Sequence, residues 1–173
     1  MMKRVLFYSL LFLQMIILLI VFFQFENFDG TKGEEIALKG KVEFVYDVEN
    51  GNQAYEVSYD LNRIEEEVWN ITKDIPYNRR VYVTVERDTP LEKVTGVSLR
   101  KPKIDEEKEI VLQGKYQHQY TDGSYHVTYG FETLPLESEG SFYKEGEGLT
   151  VHLLLGKWGQ YNVKSIEEVT KRP

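Results

Sequence analysis

Apolar and polar residues alternate along most of the chain that follows an apolar N-terminal segment. The segment YEVSYDL carries its apolar residues at every second position, and VYVTVE repeats the pattern. Period-two alternation is typical of half-buried β-strands. Strand-like segments lie near residues 36, 42, 55, 81, 94, 109, 116, 125, 149 and 160. So many short strands predict a mainly β fold: one antiparallel β-sandwich or barrel-like domain with at most one or two short helices.

Two local signals refine this pattern. Asp122-Gly123 lies between two alternating aromatic runs and predicts a tight β-hairpin, with Tyr125 to Phe131 as the returning strand. Asn62 and Glu65 form an N-x-x-E capping pattern ahead of EEVWN, which predicts a helix of about two turns. No internal repeat is visible along the chain.

The N-terminal segment has a different character, because Val5 to Phe23 contains no charged residue. Nineteen residues in a helix span about 28 Å, close to the thickness of a bilayer core. No small-residue cleavage pattern follows, so we predict a retained transmembrane anchor rather than a cleaved signal. Lys3 and Arg4 precede it, which places residues 1–4 in the cytoplasm. We therefore predict an anchor at 5–23, a tether at 24–34 and an extracytoplasmic β domain at 35–170 of a single-pass cell-membrane protein.

Composition excludes several classes of function. The chain has no cysteine, so it has no disulfide, no thiolate metal site and no cysteine nucleophile. Its formal net charge is −7, and a nucleic-acid partner would require a basic surface instead. No G-x-S-x-G sequence is present for a serine nucleophile. We predict no cofactor and no nucleic-acid partner.

The three histidines lack the close spacing of zinc sites. His126 and His152 fall on the polar faces of their strands, so we expect surface positions and no metal site. His118 shares its strand parity with Tyr116 and Tyr120, which predicts that it faces the interior if Gly114 makes no bulge. Two interpretations stay open for His118: a buried histidine hydrogen-bonded between tyrosines, or a pH-responsive group.

Carboxylates are concentrated after the Tyr125 strand, at Glu132, Glu137, Glu139, Glu145 and Glu147. A pair of them could cleave a glycosidic bond, several could hold Ca²⁺, or all could be solvated loop residues. Glu132 differs from the others because it follows Gly130 and Phe131 at the end of a strand. A glycine in a strand allows a neighbour to approach closely, and we expect Glu132 to accept bonds from that neighbour's N–H groups.

Several segments resemble one known family when they are considered in order. These are NQAYEVSYDLNRI, VYVTVERD, KPKIDEEKEIVLQGK and YGFE followed by a Glu/Gly segment. The chain resembles the GDYXXLXY family, bacterial membrane-anchored proteins of unknown function. Of the name-giving signature only Val57, in place of Leu, and Tyr59 match, so the signature itself is degenerate. YGFE looks like the family's Tyr-Gly-x-Glu strand and Glu-Gly turn, which carries over the positions Tyr129, Gly130, Glu132, Glu137 and Gly140.

The resemblance implies an anchor and an outer domain but no reaction. Members are often encoded near polytopic membrane proteins, which implies a subunit role. Our first hypothesis is therefore a non-enzymatic binding or accessory subunit of a membrane protein. The alternative is a cell-envelope enzyme or cation-binding domain that uses the carboxylates from Glu132 to Glu147.

Overall fold

A computed structural model describes residues 2–26, 33–46, 53–88, 90–91, 93–134, 143–156 and 161–169. Its elements are one α-helix and ten β-strands. Helix α1 spans Met2–Glu26. The strands are β1 Glu34–Tyr46, β2 Gln53–Tyr59, β3 Arg63–Ile64, β4 Arg80–Glu86, β5 Val94–Ser98, β6 Glu109–Gln119, β7 Tyr125–Thr128, β8 Thr133–Leu134, β9 Gly148–Leu155 and β10 Tyr161–Glu168.

The strands form two five-stranded antiparallel sheets, in the orders β10-β9-β1-β2-β8 and β3-β7-β6-β4-β5. Buried apolar side chains from both sheets belong to one hydrophobic core. The prediction of a mainly β, antiparallel fold is confirmed. Alternation located the core correctly as well, since Val57, Val83, Val127 and Leu153 are all fully buried, as strand geometry requires of every second residue.

The predicted hairpin joins β6 to β7, although its loop is longer than a two-residue turn. Gly123 donates its N–H to the Tyr120 carbonyl over 3.1 Å and has a φ of +92°. A positive φ after a turn of this kind favours glycine because it has no Cβ. The Asp122 carboxylate completes the loop by accepting bonds from the N–H and the hydroxyl of Ser124.

The helix predicted after Asn62 is wrong. Residues Asp60–Asn62 and Glu66–Val68 form single 3₁₀ turns on either side of the short strand β3. Two contacts prevent an α-helix here. The Asn62 side chain accepts a bond from the N–H of Tyr59 behind it rather than from the chain ahead, and Arg63 pairs with His126 of β7. Tertiary pairing therefore overrides a short local signal.

Helix α1 covers the predicted anchor as one continuous helix, with side chains described from Tyr8 to Phe22. Across the described residues, no helix is both long and apolar enough to cross a membrane. The predicted transmembrane helix at 5–23 is therefore not supported by the structure.

An internal repeat that the sequence analysis missed becomes visible in the strand pairing. The first hairpin, β1–β2, and the second hairpin, β6–β7, share a residue pattern and a register. Leu38, Gly40 and Lys41 of β1 recur as Leu112, Gly114 and Lys115 of β6, and Tyr55, Val57 and Tyr59 of β2 recur as Tyr125, Val127 and Tyr129 at β7. Lys41 pairs with Ser58 in the first hairpin, and Lys115 pairs with Thr128 in the second.

The two sheets correspond strand for strand beyond these hairpins. From one edge they run β8-β2-β1-β9-β10 and β3-β7-β6-β4-β5. The edge strands are exchanged: β3 follows the first hairpin but pairs with the second, and β8 follows the second but pairs with the first. Each copy of the repeat therefore comprises five strands. One copy, the unit β4 to β8, is continuous in sequence. The other is divided between β1–β3 and β9–β10.

Candidate functional site

The ends of the two hairpins meet in a reciprocal pair of hydrogen bonds. The Tyr59 hydroxyl donates to the Phe131 carbonyl over 3.1 Å. The Tyr129 hydroxyl donates to the Leu61 carbonyl over 2.8 Å. Each tyrosine therefore binds the residue two positions after the other tyrosine, which joins the two sheets where their edge strands are exchanged.

Asn62 and Glu132 occupy equivalent positions, three residues after Tyr59 and Tyr129. The Asn62 side-chain oxygen accepts the N–H of Tyr59 over 2.6 Å, and Glu132 Oε1 accepts the N–H of Tyr129 over 2.5 Å. The Asn62 amide also donates to Glu132 Oε1 over 3.0 Å. The two capping side chains therefore bind each other, and we call these four residues the exchange centre.

Glu132 is a buried carboxylate, with only 7% of its surface exposed. Its second oxygen, Oε2, accepts the N–H of Gly130 over 2.6 Å, so three N–H donors surround the carboxylate. Its backbone carbonyl accepts the N–H of Val57 over 2.7 Å. The oxygens of a carboxylate are strong acceptors for N–H donors. The arrangement is typical of a structural cap.

The N–H contacts expected of Glu132 are present, but they come mainly from its own turn. The expectation that Gly130 lies in a strand and allows a neighbour to approach closely is wrong. It lies in a turn after β7 rather than within a strand, and a Cβ there would meet no atom within 4 Å. Its φ of +92° is the property that favours glycine, because this backbone conformation strains other residues.

Aromatic rings cover the exchange centre on its apolar side. The Phe131 ring lies edge-on to the Tyr59 ring, with 5.5 Å between centroids, and stacks on the Tyr129 ring at 5.4 Å. Tyr161 of β10 adds a third contact at 5.9 Å. Such contacts add to the stabilisation from area burial alone, so the centre is a packed junction.

Burial, and then the charge of Glu132, raise the pKa of both Tyr59 and Tyr129. A tyrosine whose pKa is raised in the folded state stabilises the fold fully below its unfolded pKa of about 10. That stability is lost as the pH rises further, because the unfolded chain releases the protons first.

We therefore expect the free energy of unfolding to fall steeply above about pH 10. The double variant Tyr59→Phe/Tyr129→Phe should be less stable at pH 8 and show a shallower alkaline decline, as measured by urea unfolding across the pH range. Tyr77→Phe is the control, since Tyr77 is 73% exposed. Equal alkaline slopes in the parent and the double variant would contradict the expectation.

The structure brings together five of the candidate residues from two distant segments. Val57 and Tyr59 of β2 meet Tyr129, Gly130 and Glu132 at the exchange centre. Glu137 and Gly140, together with Glu139, lie outside the described residues. Sequence reasoning missed Asn62 as the partner of Glu132. The signal that could have revealed it is its position three residues after the repeated Y-x-V-S/T-Y pattern.

Two further carboxylates of the acidic segment lie in the turn before β9. Glu147 Oε2 accepts the N–H of Lys144 over 2.8 Å, so Glu147 closes this turn. Glu145 is exposed. Among the described residues, no group of three or more His, Asp and Glu side chains is placed to hold a metal ion.

The predicted inward position of His118 is wrong. The register of β6 and β7 shifts between Tyr116 and His118, so Gln117 is an extra residue on β6. A bulge of this kind reverses strand parity. Tyr116 stays packed against the core, whereas His118 is exposed and lies opposite His126. His126 and His152 are both half-buried rather than fully exposed.

Two cavities are lined by residues other than the four of the exchange centre. One of about 110 Å³ lies beside β1 and is lined by Glu35, Arg87 and Leu91 among others. The other, of about 390 Å³, lies between β8 and β10 and is lined by Leu134 and Tyr161 among others. Glu132 lines neither of them, so neither cavity joins this carboxylate to a second acid.

Comparison with protein-family models, with curated proteins and with solved structures found no match to this chain.

Proposed function

We propose that the chain is a membrane-anchored, non-enzymatic binding or accessory subunit of a membrane protein, with its β domain outside the cytoplasm. The observation that carries this proposal is the exposure of helix α1. All fifteen side chains described in α1, from Tyr8 to Phe22, are exposed, and they include Leu10, Phe12 and Leu18 at 63 to 65%. An apolar surface this continuous favours burial against lipid or protein.

The chemistry of the β domain supports the same proposal. Glu132 is enclosed by three N–H donors, and the hydroxyls of Tyr59 and Tyr129 bind backbone carbonyls. A general acid or base must reach a substrate proton, and these groups are occupied by structural bonds. The alternative is an envelope enzyme or cation-binding domain using the Glu132 to Glu147 carboxylates, and the three of these that the structure describes, Glu132, Glu145 and Glu147, give it no support.

The proposed orientation and the proposed subunit role rest on the sequence rather than on the geometry of the β domain. Lys3 and Arg4 before the helix favour a cytoplasmic N-terminus. The likeness of Val57, Tyr59 and the Tyr129 to Glu132 segment to the GDYXXLXY family favours a bacterial cell membrane and a polytopic partner. The proposed anchor again spans Val5 to Phe23.

The lack of cysteine makes the orientation directly testable. In Tyr77→Cys, the single thiol replaces the side chain that is 73% exposed. We expect a membrane-impermeant maleimide to label this variant in intact spheroplasts of a bacterial host. A Met2→Cys variant should be labelled only after the membrane is permeabilised. Labelling of Met2→Cys but not of Tyr77→Cys in intact spheroplasts would contradict the orientation.

The subunit role is tested by purification in mild detergent. The full-length chain should co-purify with one membrane protein in stoichiometric amount, identified by mass spectrometry, and a chain without residues 2–23 should not. A full-length chain that enters the membrane fraction, resists carbonate extraction and yet carries no stoichiometric partner would contradict the subunit role while retaining the anchor.

A further inference from the structure

The outer face of the second hairpin carries two histidines in direct contact. His118 of β6 and His126 of β7 lie opposite each other in the register, with 5.0 Å between ring centroids and 67° between ring planes. The bulge at Gln117 produces this pairing, because without it His118 would face the core. Eight positions separate the two residues in sequence, so spacing alone does not reveal the pair.

The distance between the two rings is compatible with one metal ion bound by both imidazoles. A zinc–nitrogen bond of about 2.1 Å places the metal roughly 3.2 Å from the centroid of an imidazole ring. Two imidazoles at a tetrahedral angle then have centroids roughly 5 Å apart. The observed 5.0 Å between centroids is compatible with one tetrahedral ion bound by both rings once their nitrogens turn toward it.

Tyr120 orients one of the two rings. Its hydroxyl lies 3.0 Å from His126 Nδ1, and the two rings stack with an interplanar angle of 14°. A hydrogen bond at one ring nitrogen fixes the ring and leaves the other nitrogen as the ligand, which is how histidine ligands in metal sites are usually held. In the tautomer in which Nδ1–H donates to the Tyr120 hydroxyl, His126 Nε2 carries the lone pair that binds a metal.

The local charges favour a bound cation. The carboxylates of Glu43 and Glu132 act electrostatically at His126 in the sense that favours positive charge there. A metal ion binds imidazole in its neutral form, so metal binding displaces the proton of any charged ring. Arg63 lies 5.1 Å from the Tyr120 ring, but its guanidinium pairs with Asp122.

We propose that His118 and His126 form a binding site for one divalent transition-metal ion of the kind that imidazole ligands prefer, such as Zn²⁺ or Cu²⁺. The two imidazoles supply two ligands, and water or a partner group supplies the rest. The site is open to solvent on the His118 side, so a bound ion keeps exchangeable positions. Its residues belong to β6 and β7 and not to helix α1, so the proposed site does not depend on the proposed subunit role.

The test uses the full-length chain in detergent, without a polyhistidine tag, at pH 7.5. We expect ZnCl₂ to bind with one equivalent by isothermal titration calorimetry and CuCl₂ to give an electron paramagnetic resonance spectrum with two nitrogen ligands. His118→Gln and His126→Gln should each weaken binding at least about 10-fold. His118 is exposed, so its variant tests the site without disturbing the core.

His152→Gln is the matched control, because His152 lies on β9 of the other sheet. It should bind both metals as tightly as the parent. If the double variant His118→Gln/His126→Gln retains the parent's affinity, or if the parent shows no one-equivalent binding of either metal, the site does not exist. Circular dichroism of each variant confirms that the fold is retained.

Discussion

Replacing Glu132 with alanine is expected to reduce the free energy of unfolding by about 3 to 4 kcal/mol. The substitution leaves three N–H donors without their acceptor, two from the backbone of Tyr129 and Gly130 and one from Asn62. Each buried donor left unpaired costs about 1 to 3 kcal/mol, and water that enters the turn recovers part of this cost. Urea unfolding of the full-length chain, followed by tryptophan fluorescence, measures the difference.

Two further variants separate the carboxylate's charge from its shape. Glu132→Gln keeps the shape but places an N–H₂ group among N–H donors, so we expect a smaller loss of about 1 to 3 kcal/mol. Glu145→Ala is the control, since Glu145 is exposed in a nearby turn and should change stability by less than about 0.5 kcal/mol. Unfolding of Glu132→Ala at the same urea concentration as Glu145→Ala would rule out the structural role.

Gly114→Ala is expected to cost about 2 to 3 kcal/mol through overpacking. A Cβ at this position would lie 2.4 Å from Val127 Cγ1 and 3.1 Å from the Thr128 carbonyl. Val127 is fully buried and cannot turn aside without disturbing the core. Gly40 is the equivalent residue of the first hairpin, and its Cβ would lie 2.6 Å from Val57 Cγ1, so Gly40→Ala should have a similar effect in the same unfolding assay.

The mechanism can be checked by removing the obstructing methyl groups. In a Val127→Ala background, Gly114→Ala should cost much less than in the parent, because the two changes exchange volume at one place. Gly96→Ala is the control, since its Cβ would meet only the Asn70 side-chain nitrogen at 3.1 Å, and Asn70 is exposed. Equal losses for Gly114→Ala in both backgrounds would show that crowding against Val127 is not the cause.

The strands and the core could be predicted because alternation is a local property. Val81, Val83 and Val85 are buried wherever their strand pairs, so the pattern alone identifies them. The first strand was predicted as two, near 36 and 42, and is the single β1. The helix after Asn62 failed because the Asn62 side chain binds the N–H of Tyr59 and the carboxylate of Glu132, and Glu132 is a distant contact that no short window contains.

Individual residues of the candidate site could be predicted from the sequence, but the contacts between them could not. Glu132 could be identified as a candidate because it follows Gly130. Its partner Asn62 could not, because it is 70 residues away in the sequence. His118 shows the other limit, because one inserted residue at Gln117 reverses the face of every later position on the strand. The internal repeat is hard to detect in the sequence because only Leu, Gly, Lys, Tyr and Val positions are shared. The reciprocal hydrogen bonds of Tyr59 and Tyr129 reveal it in the structure.

Because one repeat unit is divided in sequence, its strands cannot all pair until the end of the chain has been synthesised. Strands β4 to β8 are continuous and can pair as soon as they emerge. Strand β1 can pair with β2 early, but its other edge requires β9, where Leu38 pairs with Val151. Until then this edge of β1 is open, and open edges invite pairing with other chains. The first strand to be made is completed only by β9, one of the last two, so premature termination before β9 should yield an aggregation-prone chain.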